Sequence, residues 1–176
     1  GSEMCIRDSF SPDMYPCQTN HVVPEGPTCK DLAMPHLVIL YTGQLDHEVS
    51  ITALCRQMAD AMLTVKDEEA KQVFPTGGTR VLAYPAPHYA VADGGAAGRE
   101  AGGTGDYAFV YLNVRMGRGR SEATQQRIGQ TLLEVANAFF APVMAQRHIG
   151  ITLQIDVGPE VFDAKLSNLH PLFNKV

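Results

Sequence analysis

The chain has 176 residues, of which 45% are hydrophobic and 19% charged, and its formal net charge at pH 7 is −5. This length is sufficient for one domain with a sizeable core, and the composition is that of a globular protein. The negative charge argues against nucleic acid as a partner, and the absence of a run of about 18 apolar residues argues against a membrane span. Residues 1–19 lack the apolar centre of a secretory signal, so we expect a cytoplasmic protein.

The first 33 residues differ in composition from the rest of the chain. Prolines interrupt any amphipathic period there, and such a stretch can hardly form a core of its own. Three of the four cysteines also fall there, at spacings that match no zinc-binding pattern. We therefore interpret residues 1–33 as a disordered or artefactual extension and residues 34–176 as a single domain. If Met34 is the true start and is removed, Pro35 acquires a free secondary amine.

The first half of this domain has the pattern of a strand, a helix and a second strand. Residues 36–42 are short, apolar and β-branched, which predicts a buried strand. Residues 49–66 predict an amphipathic helix with Ser50 as its N-cap. The apolar positions of this helix are Ile51, Leu54, Cys55, Met58, Met62 and Val65. Residues 80–92 predict a strand with two internal prolines, which suits the edge of a sheet.

A segment rich in glycine and alanine, 93–105, separates the two halves. It contains neither of the glycine-rich motifs that bind phosphate. We interpret it as a flexible insertion.

The second half repeats the order of the first. Residues 106–116 alternate as a strand, with an aliphatic face that starts at Ala108 and an aromatic and polar face that starts at Tyr107. Ser121 begins a predicted helix over 121–147. The predicted buried face of that helix consists of Ile128, Leu132, Val135, Phe139 and Val143. Residues 149–157 alternate as the last strand, and 162–176 predict a further short strand or turn.

The element order predicts an α+β fold built from a tandem βαβ repeat. Right-handed crossovers make the paired strands parallel and place both helices on one face of a four-stranded mixed sheet. The other face is too mixed for a dry core and too aromatic for full exposure. We therefore expect it to be buried against further copies of the chain.

Several short patterns in the domain occur in one order. They are Met34-Pro35-His36, Phe74-Pro75 followed by Gly77-Gly78-Thr79-Arg80, Asp106-Tyr107-Ala108-Phe109-Val110, Gly117-Arg118-Gly119-Arg120-Ser121, and Asn168-Leu169-His170-Pro171-Leu172-Phe173. Together they resemble the 5-carboxymethyl-2-hydroxymuconate isomerase family of the tautomerase superfamily. The resemblance extends over nearly all of 34–173.

The resemblance implies a homotrimeric isomerase that needs no metal and no cofactor. Its substrate is a small di- or tricarboxylate, 5-carboxymethyl-2-hydroxymuconate, which it converts to the 2-oxo-3-ene isomer in homoprotocatechuate degradation. Pro35 would be the general base and acid, and Arg80 and Arg120 would bind the carboxylates and stabilise the dienolate. His36, Tyr107 and Phe109 are further candidates for binding the substrate.

Two features depart from the family pattern. Leu40 stands where relatives often have an acidic residue, and the 93–105 segment is longer than usual. Both changes are candidates for altering which substrate fits, and neither involves the proposed base.

Other interpretations remain open at this stage. The chain could be another proline-dependent tautomerase, decarboxylase or hydratase, or a non-catalytic trimeric binding module in which Pro35 is an amide. Arg80 and Arg120 could form surface salt bridges, with Arg115 and Arg118 as competitors for their role. Cys55 is expected to fill the core, and His170 to be structural.

Overall fold

A computed structural model describes residues 35–103, 105–158 and 173. The predicted extension, Met34, the tail over 162–172 and 174–176, and His170 lie outside the described residues. All of the described residues belong to one unit, Asp31–Val176. The regular elements are β1 (His36–Thr42), α1 (Ile51–Thr64), β2 (Arg80–Ala86), α2 (Ala96–Glu100), β3 (Ala108–Gly117), α3 (Glu122–Met144) and β4 (Ile149–Gly158), with 3₁₀ turns at Gly43–His47 and Thr76–Gly78.

The strands form one mixed sheet in the order β2-β1-β3-β4. β1 is parallel to β2, β3 is parallel to β4, and the two halves join through the antiparallel pair of β1 and β3. Both long helices pack on one face of this sheet, so the predicted α+β fold with a tandem βαβ repeat is confirmed.

The core lies between the helices and the faces of β1 and β3 that alternate toward them. Its strand residues are Leu37, Ile39, Tyr41, Ala108, Val110, Leu112, Val114 and Met116. The predicted face of α1 is confirmed, since Leu54, Met58 and Met62 are fully buried. Cys55 is half-buried and packs against this core, as expected for a core-filling cysteine.

The predicted face of α3 packs against the core, with Ile128, Leu132 and Val143 buried and Val135 and Phe139 half-buried. The prediction missed Ala136 and Phe140, which are fully buried. The Phe139 ring packs edge-on against Phe140 at 5.0 Å. Phe139 therefore flanks the core and does not fill it.

Both long helices begin where the sequence predicts. The Ser50 Oγ accepts a hydrogen bond from the Ala53 N–H at 3.3 Å, and the Ser121 Oγ accepts one from the Thr124 N–H at 3.1 Å. These serine caps satisfy N–H groups that have no partner inside the helix.

The second strand is shorter than predicted, because it ends at Ala86 and not at 92. Pro85 lies within the strand and pairs with Tyr41, whereas Pro87 follows Ala86 directly and has no N–H to continue the ladder. The predicted edge position of β2 is confirmed.

The expected flexible insertion at 93–105 instead contains the short helix α2. The Asp93 carboxylate accepts hydrogen bonds from the N–H groups of Gly95, Ala96 and Ala97 at 3.0–3.1 Å. These donors lower the pKa of Asp93, with the Ala97 N–H contributing most. The chain closes on itself because Gly95 and Gly105 both have positive φ and touch. Asp93 followed by a glycine and alanine run is therefore a local helix start that the prediction overlooked.

Phe140 provides a test of the core. We expect Phe140→Ala to lower the free energy of unfolding by about 3–5 kcal/mol, because it removes a fully buried ring and leaves a cavity. Urea denaturation of both proteins measures this difference. Leu133→Ala is the matched control on an exposed position of the same helix, where we expect a change below about 0.5 kcal/mol. Equal losses in the two variants would contradict the observed orientation of α3.

Candidate active site

Pro35 lies at the start of β1, at the end of the sheet where three other strand ends converge. β2 also starts at this end, whereas β3 and β4 finish here, because β3 runs antiparallel to β1. Pro35 is buried. The next residue, His36, pairs with Arg80 on one side and with Arg115 on the other. Residues from both halves of the repeat therefore lie at this end of the sheet.

His36, Arg80 and Arg115 share the face of the sheet that has no helices. Leu37 and Val114 point into the core, and neighbouring positions on a strand alternate between faces. Adjacent strands are about 4.8 Å apart, so these three residues form a continuous row across β2, β1 and β3. His36 and Arg80 are half-buried in this row, and Arg115 is exposed.

Arg80 follows a tight turn that fixes its backbone. The Pro75 carbonyl accepts hydrogen bonds from the N–H groups of Gly78 and Thr79 and from the Thr79 hydroxyl, all at 2.9–3.0 Å. The Arg80 Nη1 then donates to the Gly78 carbonyl at 3.1 Å. The predicted glycine turn thus brings the guanidinium group back over the turn that precedes it.

Arg120 lies in the connection between β3 and α3. The chain leaves β3 at Gly117 and turns through Gly119, which has φ 102°, a conformation that favours glycine. The Arg120 Nη1 donates to the Gly117 carbonyl at 3.2 Å, and the Arg120 carbonyl accepts from the Gln125 Nε2 at 2.9 Å. Arg120 is half-buried, whereas the competing Arg118 is exposed. Pro35, Arg80 and Arg120 therefore belong to the same end of the sheet.

Tyr107 and Phe109 lie at the opposite end. Phe109 is six positions along the chain from Arg115, which corresponds to about 20 Å at 3.3–3.4 Å per residue. Within one chain the structure does not bring these two aromatic residues together with Pro35. The Tyr107 hydroxyl instead accepts a hydrogen bond from the Gly98 N–H at 2.8 Å, and its ring packs edge-on against His148.

A cleft of about 450 Å³ opens at this far end. Its walls are Val91, Ala97, Gly98, Ala101, Tyr107, Ala108, His148, Ile149 and Gly150. The lining is mostly apolar and includes no arginine or lysine. A substrate with several carboxylates needs cations to hold it, so the cleft does not suit one.

A polar network on the helix-free face was not predicted as such. The Asn113 Nδ2 donates to the Asp156 Oδ2 at 2.9 Å, the Gln154 Nε2 donates to the Asp156 Oδ1 at 2.7 Å, and the Tyr111 hydroxyl donates to the Gln154 Oε1 at 3.0 Å. Asn113, and to a lesser extent Gln154 and the charge of Arg115, lower the pKa of Asp156. The alternation of polar residues on two strands in parallel register was the signal for this network.

Two further observations concern metals and membranes. Within residues 35–103 and 105–158, no group of three or more histidine, cysteine, aspartate or glutamate side chains is arranged to hold a metal ion. No helix in the described part of the chain has the length and apolarity needed to cross a membrane.

Comparison with known proteins identifies close relatives. The profile of the 5-carboxymethyl-2-hydroxymuconate isomerase family matches residues 35–173. The 5-carboxymethyl-2-hydroxymuconate Delta-isomerase of Escherichia coli is 25% identical over 140 residues, which are 80% of this chain and 99% of the relative.

Two crystal structures agree with this match. A 5-carboxymethyl-2-hydroxymuconate delta-isomerase is 66% identical, with a TM-score of 0.80 over 82% of this chain and 96% of the other. A 5-carboxymethyl-2-hydroxymuconate isomerase from Deinococcus radiodurans R1 is 30% identical, with a TM-score of 0.65 over 81% of this chain and 96% of the other.

The contact between Tyr107 and Gly98 can be tested directly. We expect Tyr107→Phe to raise amide hydrogen exchange at Gly98 and its neighbours by about fivefold to tenfold, because one hydrogen bond to the Gly98 N–H is lost. Exchange followed by mass spectrometry measures the effect. Tyr111→Phe is the matched control, since that hydroxyl bonds to Gln154 and not to this segment. Unchanged exchange at Gly98 would show that Tyr107 does not hold α2.

Proposed function

The chain belongs to the 5-carboxymethyl-2-hydroxymuconate isomerase family and is an isomerase, and from this premise we propose that it isomerises 5-carboxymethyl-2-hydroxymuconate with the Pro35 amine as base. The product is the 2-oxo-3-ene isomer, formed in the degradation of homoprotocatechuate. The names of the three relatives support this substrate. The observation that supports the mechanism best is the common location of Pro35, Arg80 and Arg120 at one end of the sheet.

The reaction moves one proton within the substrate. A base removes the proton of the 2-hydroxyl group, the electrons shift along the dienol, and a proton is delivered to C5. One group can perform both steps if it lies over the plane of the diene and titrates near neutral pH. A free α-amine meets the second condition, because its pKa in small reference compounds is about 8.

The surroundings of Pro35 suit this role. Arginines lie in the adjoining row and in the β3–α3 connection. Neighbouring positive charges disfavour an ammonium ion, so they favour the neutral, basic amine. The ring of proline also fixes the direction of the nitrogen.

Arg80 and Arg120 are the proposed binding partners of the carboxylates of the substrate. A guanidinium group can bind a carboxylate through two parallel hydrogen bonds. It can also stabilise negative charge that develops on the dienolate oxygen. His36 lies in the same row as Arg80 and is placed to contact the same ligand. Tyr107 and Phe109 could contact a substrate at Pro35 only from a neighbouring subunit.

This mechanism requires that the nitrogen of Pro35 is not in a peptide bond. We expect the chain that begins at Pro35 to isomerise 5-carboxymethyl-2-hydroxymuconate, and the chain that begins at Gly1 to be slower by at least about 10²-fold, because an amide nitrogen cannot act as the base. Ultraviolet absorbance follows the ketonisation, and mass spectrometry confirms each N-terminus.

Pro35→Ala, in the chain that begins at this position, tests the ring separately from the amine. It retains a free α-amine of changed basicity and direction, so we expect residual activity between that of the two chains. Equal activity of the Pro35 and Gly1 chains would exclude Pro35 as the base. Inactivity of both chains toward this substrate would indicate that the isomerase acts on a different unsaturated oxo-acid.

We further propose that the chain acts as a homotrimer assembled through the helix-free face. Large apolar side chains are exposed there in the single chain: Leu40 is 46%, Leu82 is 45% and Tyr84 is 51% exposed. These three residues lie side by side on β1 and β2, because Leu40 pairs with Tyr84 and alternation places Leu82 on the same face. A contiguous apolar patch of this kind is typical of a protein interface.

Leu82 provides a test of this assembly. We expect Leu82→Glu to dissociate the oligomer, because a charge would be buried in the interface. Size-exclusion chromatography with light scattering measures the mass. Leu133→Glu is the control, since Leu133 is similarly exposed but lies on α3, away from this face. An unchanged mass for Leu82→Glu, or an equal loss in both variants, would contradict assembly through this face.

A further inference from the structure

Glu68 connects two segments that belong to different halves of the repeat. It lies between α1 and β2, and its carboxylate reaches the first turn of α3. The Ser121 hydroxyl donates to the Glu68 Oε1, and the Thr124 hydroxyl lies 2.9 Å from the Glu68 Oε2. Thr124 is buried, so the packing of α3 on the core fixes the position of this contact.

The Glu68 carboxylate is stabilised as an anion at this place. The Ser121 hydroxyl lowers its pKa most, followed by the backbone N–H of Glu68 and the Thr124 hydroxyl, and the charge of Arg127 also contributes. The carboxylate lies at the N-terminus of the 23-residue helix α3, where the helix dipole favours negative charge.

The segment that contains Glu68 is itself rigid. The Asp67 Oδ1 accepts hydrogen bonds from the N–H groups of Glu69 and Lys71, and the Val73 N–H donates to the Val65 carbonyl at 3.0 Å. Arg127 makes a second tie between the same two segments, because its Nη1 donates to the Lys66 carbonyl. Glu68 is therefore held on a turn that does not move freely relative to α3.

Each of the two segments that Glu68 connects continues along the chain to one arginine of the proposed site. Ser121 follows Arg120, and the Gln125 side chain of the same helix turn holds the Arg120 carbonyl. On the other side the chain runs from Glu68 through the Pro75 turn to Arg80. The connection between β3 and α3 turns at Gly119, a residue whose backbone has more conformational freedom than that of any residue with a side chain. A contact from outside the connection is therefore needed to fix the position of Arg120.

We propose that Glu68 is a positioning residue that fixes Arg120 relative to Arg80. This inference rests on the proposed function, because it assigns both arginines to the same ligand. Glu68 itself touches neither the substrate nor the base. Its effect on the reaction passes through the Ser121 hydroxyl and the first turn of α3.

Glu68→Gln tests the proposal in the chain that begins at Pro35, the form that the proposed function requires. The amide keeps the shape of the side chain but removes the charge and one acceptor. We expect kcat/KM for 5-carboxymethyl-2-hydroxymuconate to fall by about tenfold, mainly through KM, because a displaced guanidinium binds the carboxylate less well. Glu69→Gln, the neighbouring exposed glutamate on the same turn, is the matched control and should leave kcat/KM unchanged.

A double-mutant cycle with Arg120→Ala separates positioning from a general loss of structure. If Glu68 acts through Arg120, Glu68→Gln causes no further loss once Arg120 is alanine. If its role is only structural, the two losses multiply and the melting temperature falls in proportion. Multiplying losses, or an equal effect of Glu69→Gln, would overturn the proposal.

Amide hydrogen exchange provides a readout that does not depend on catalysis. We expect Glu68→Gln to raise exchange over 117–125 and to leave α1 unchanged, whatever the substrate is. Faster exchange there in an enzyme that does not isomerise this substrate would support the tie and refute only the proposed function. Unchanged exchange over 117–125 would overturn the positioning role even in an active enzyme.

Discussion

The antiparallel pairing of β1 with β3 determines where the candidate residues of the proposed site meet. Each βαβ half, taken alone, places its strand starts at one end and has only part of the site. The register that sets His36 opposite Arg115 brings the end of β3 to the start of β1. The connection that contains Arg120 then follows at the same end as Pro35, and the parallel partner β2 adds Arg80. A shift of this register by one residue would turn every side chain of β3 to the other face and remove both the core and the site.

Much of this arrangement could be predicted from the sequence because it depends on local chemistry. Ser50 and Ser121 cap helices with their own side chains, and alternation in β3 specifies which residues face the core. The candidate residues near Pro35 were predicted for a different reason, because Pro35, Arg80 and Arg120 stand in the short patterns that resemble the family. Their common location at one end of the sheet follows from the strand order and from the pairing of β1 with β3.

The features that were missed depend on contacts between distant parts of the chain. Ala136 and Phe140 are fully buried because of how α3 packs on the core, which the spacing of the apolar residues within the helix does not reveal. The far location of Tyr107 follows from the length of β3, and not from its position in a motif. The hydrogen bonds of Glu68 to Thr124 join residues 56 positions apart, and no local pattern marks such a pair.

The contact between Gly95 and Gly105 closes the segment between them into a loop. A Cβ atom at Gly95 would lie 1.2 Å from the Gly105 carbonyl oxygen, so the two ends of this loop meet at nearly one point. When the ends of a loop meet in this way, doubling its length costs only about 0.6 kcal/mol in chain entropy. Residues 96–103 are thus a place where an epitope or a fluorescent label could be grafted. Because this loop lies at the end of the sheet remote from Pro35 of the same chain, a change in its length would affect the chemistry at Pro35 only through a neighbouring subunit.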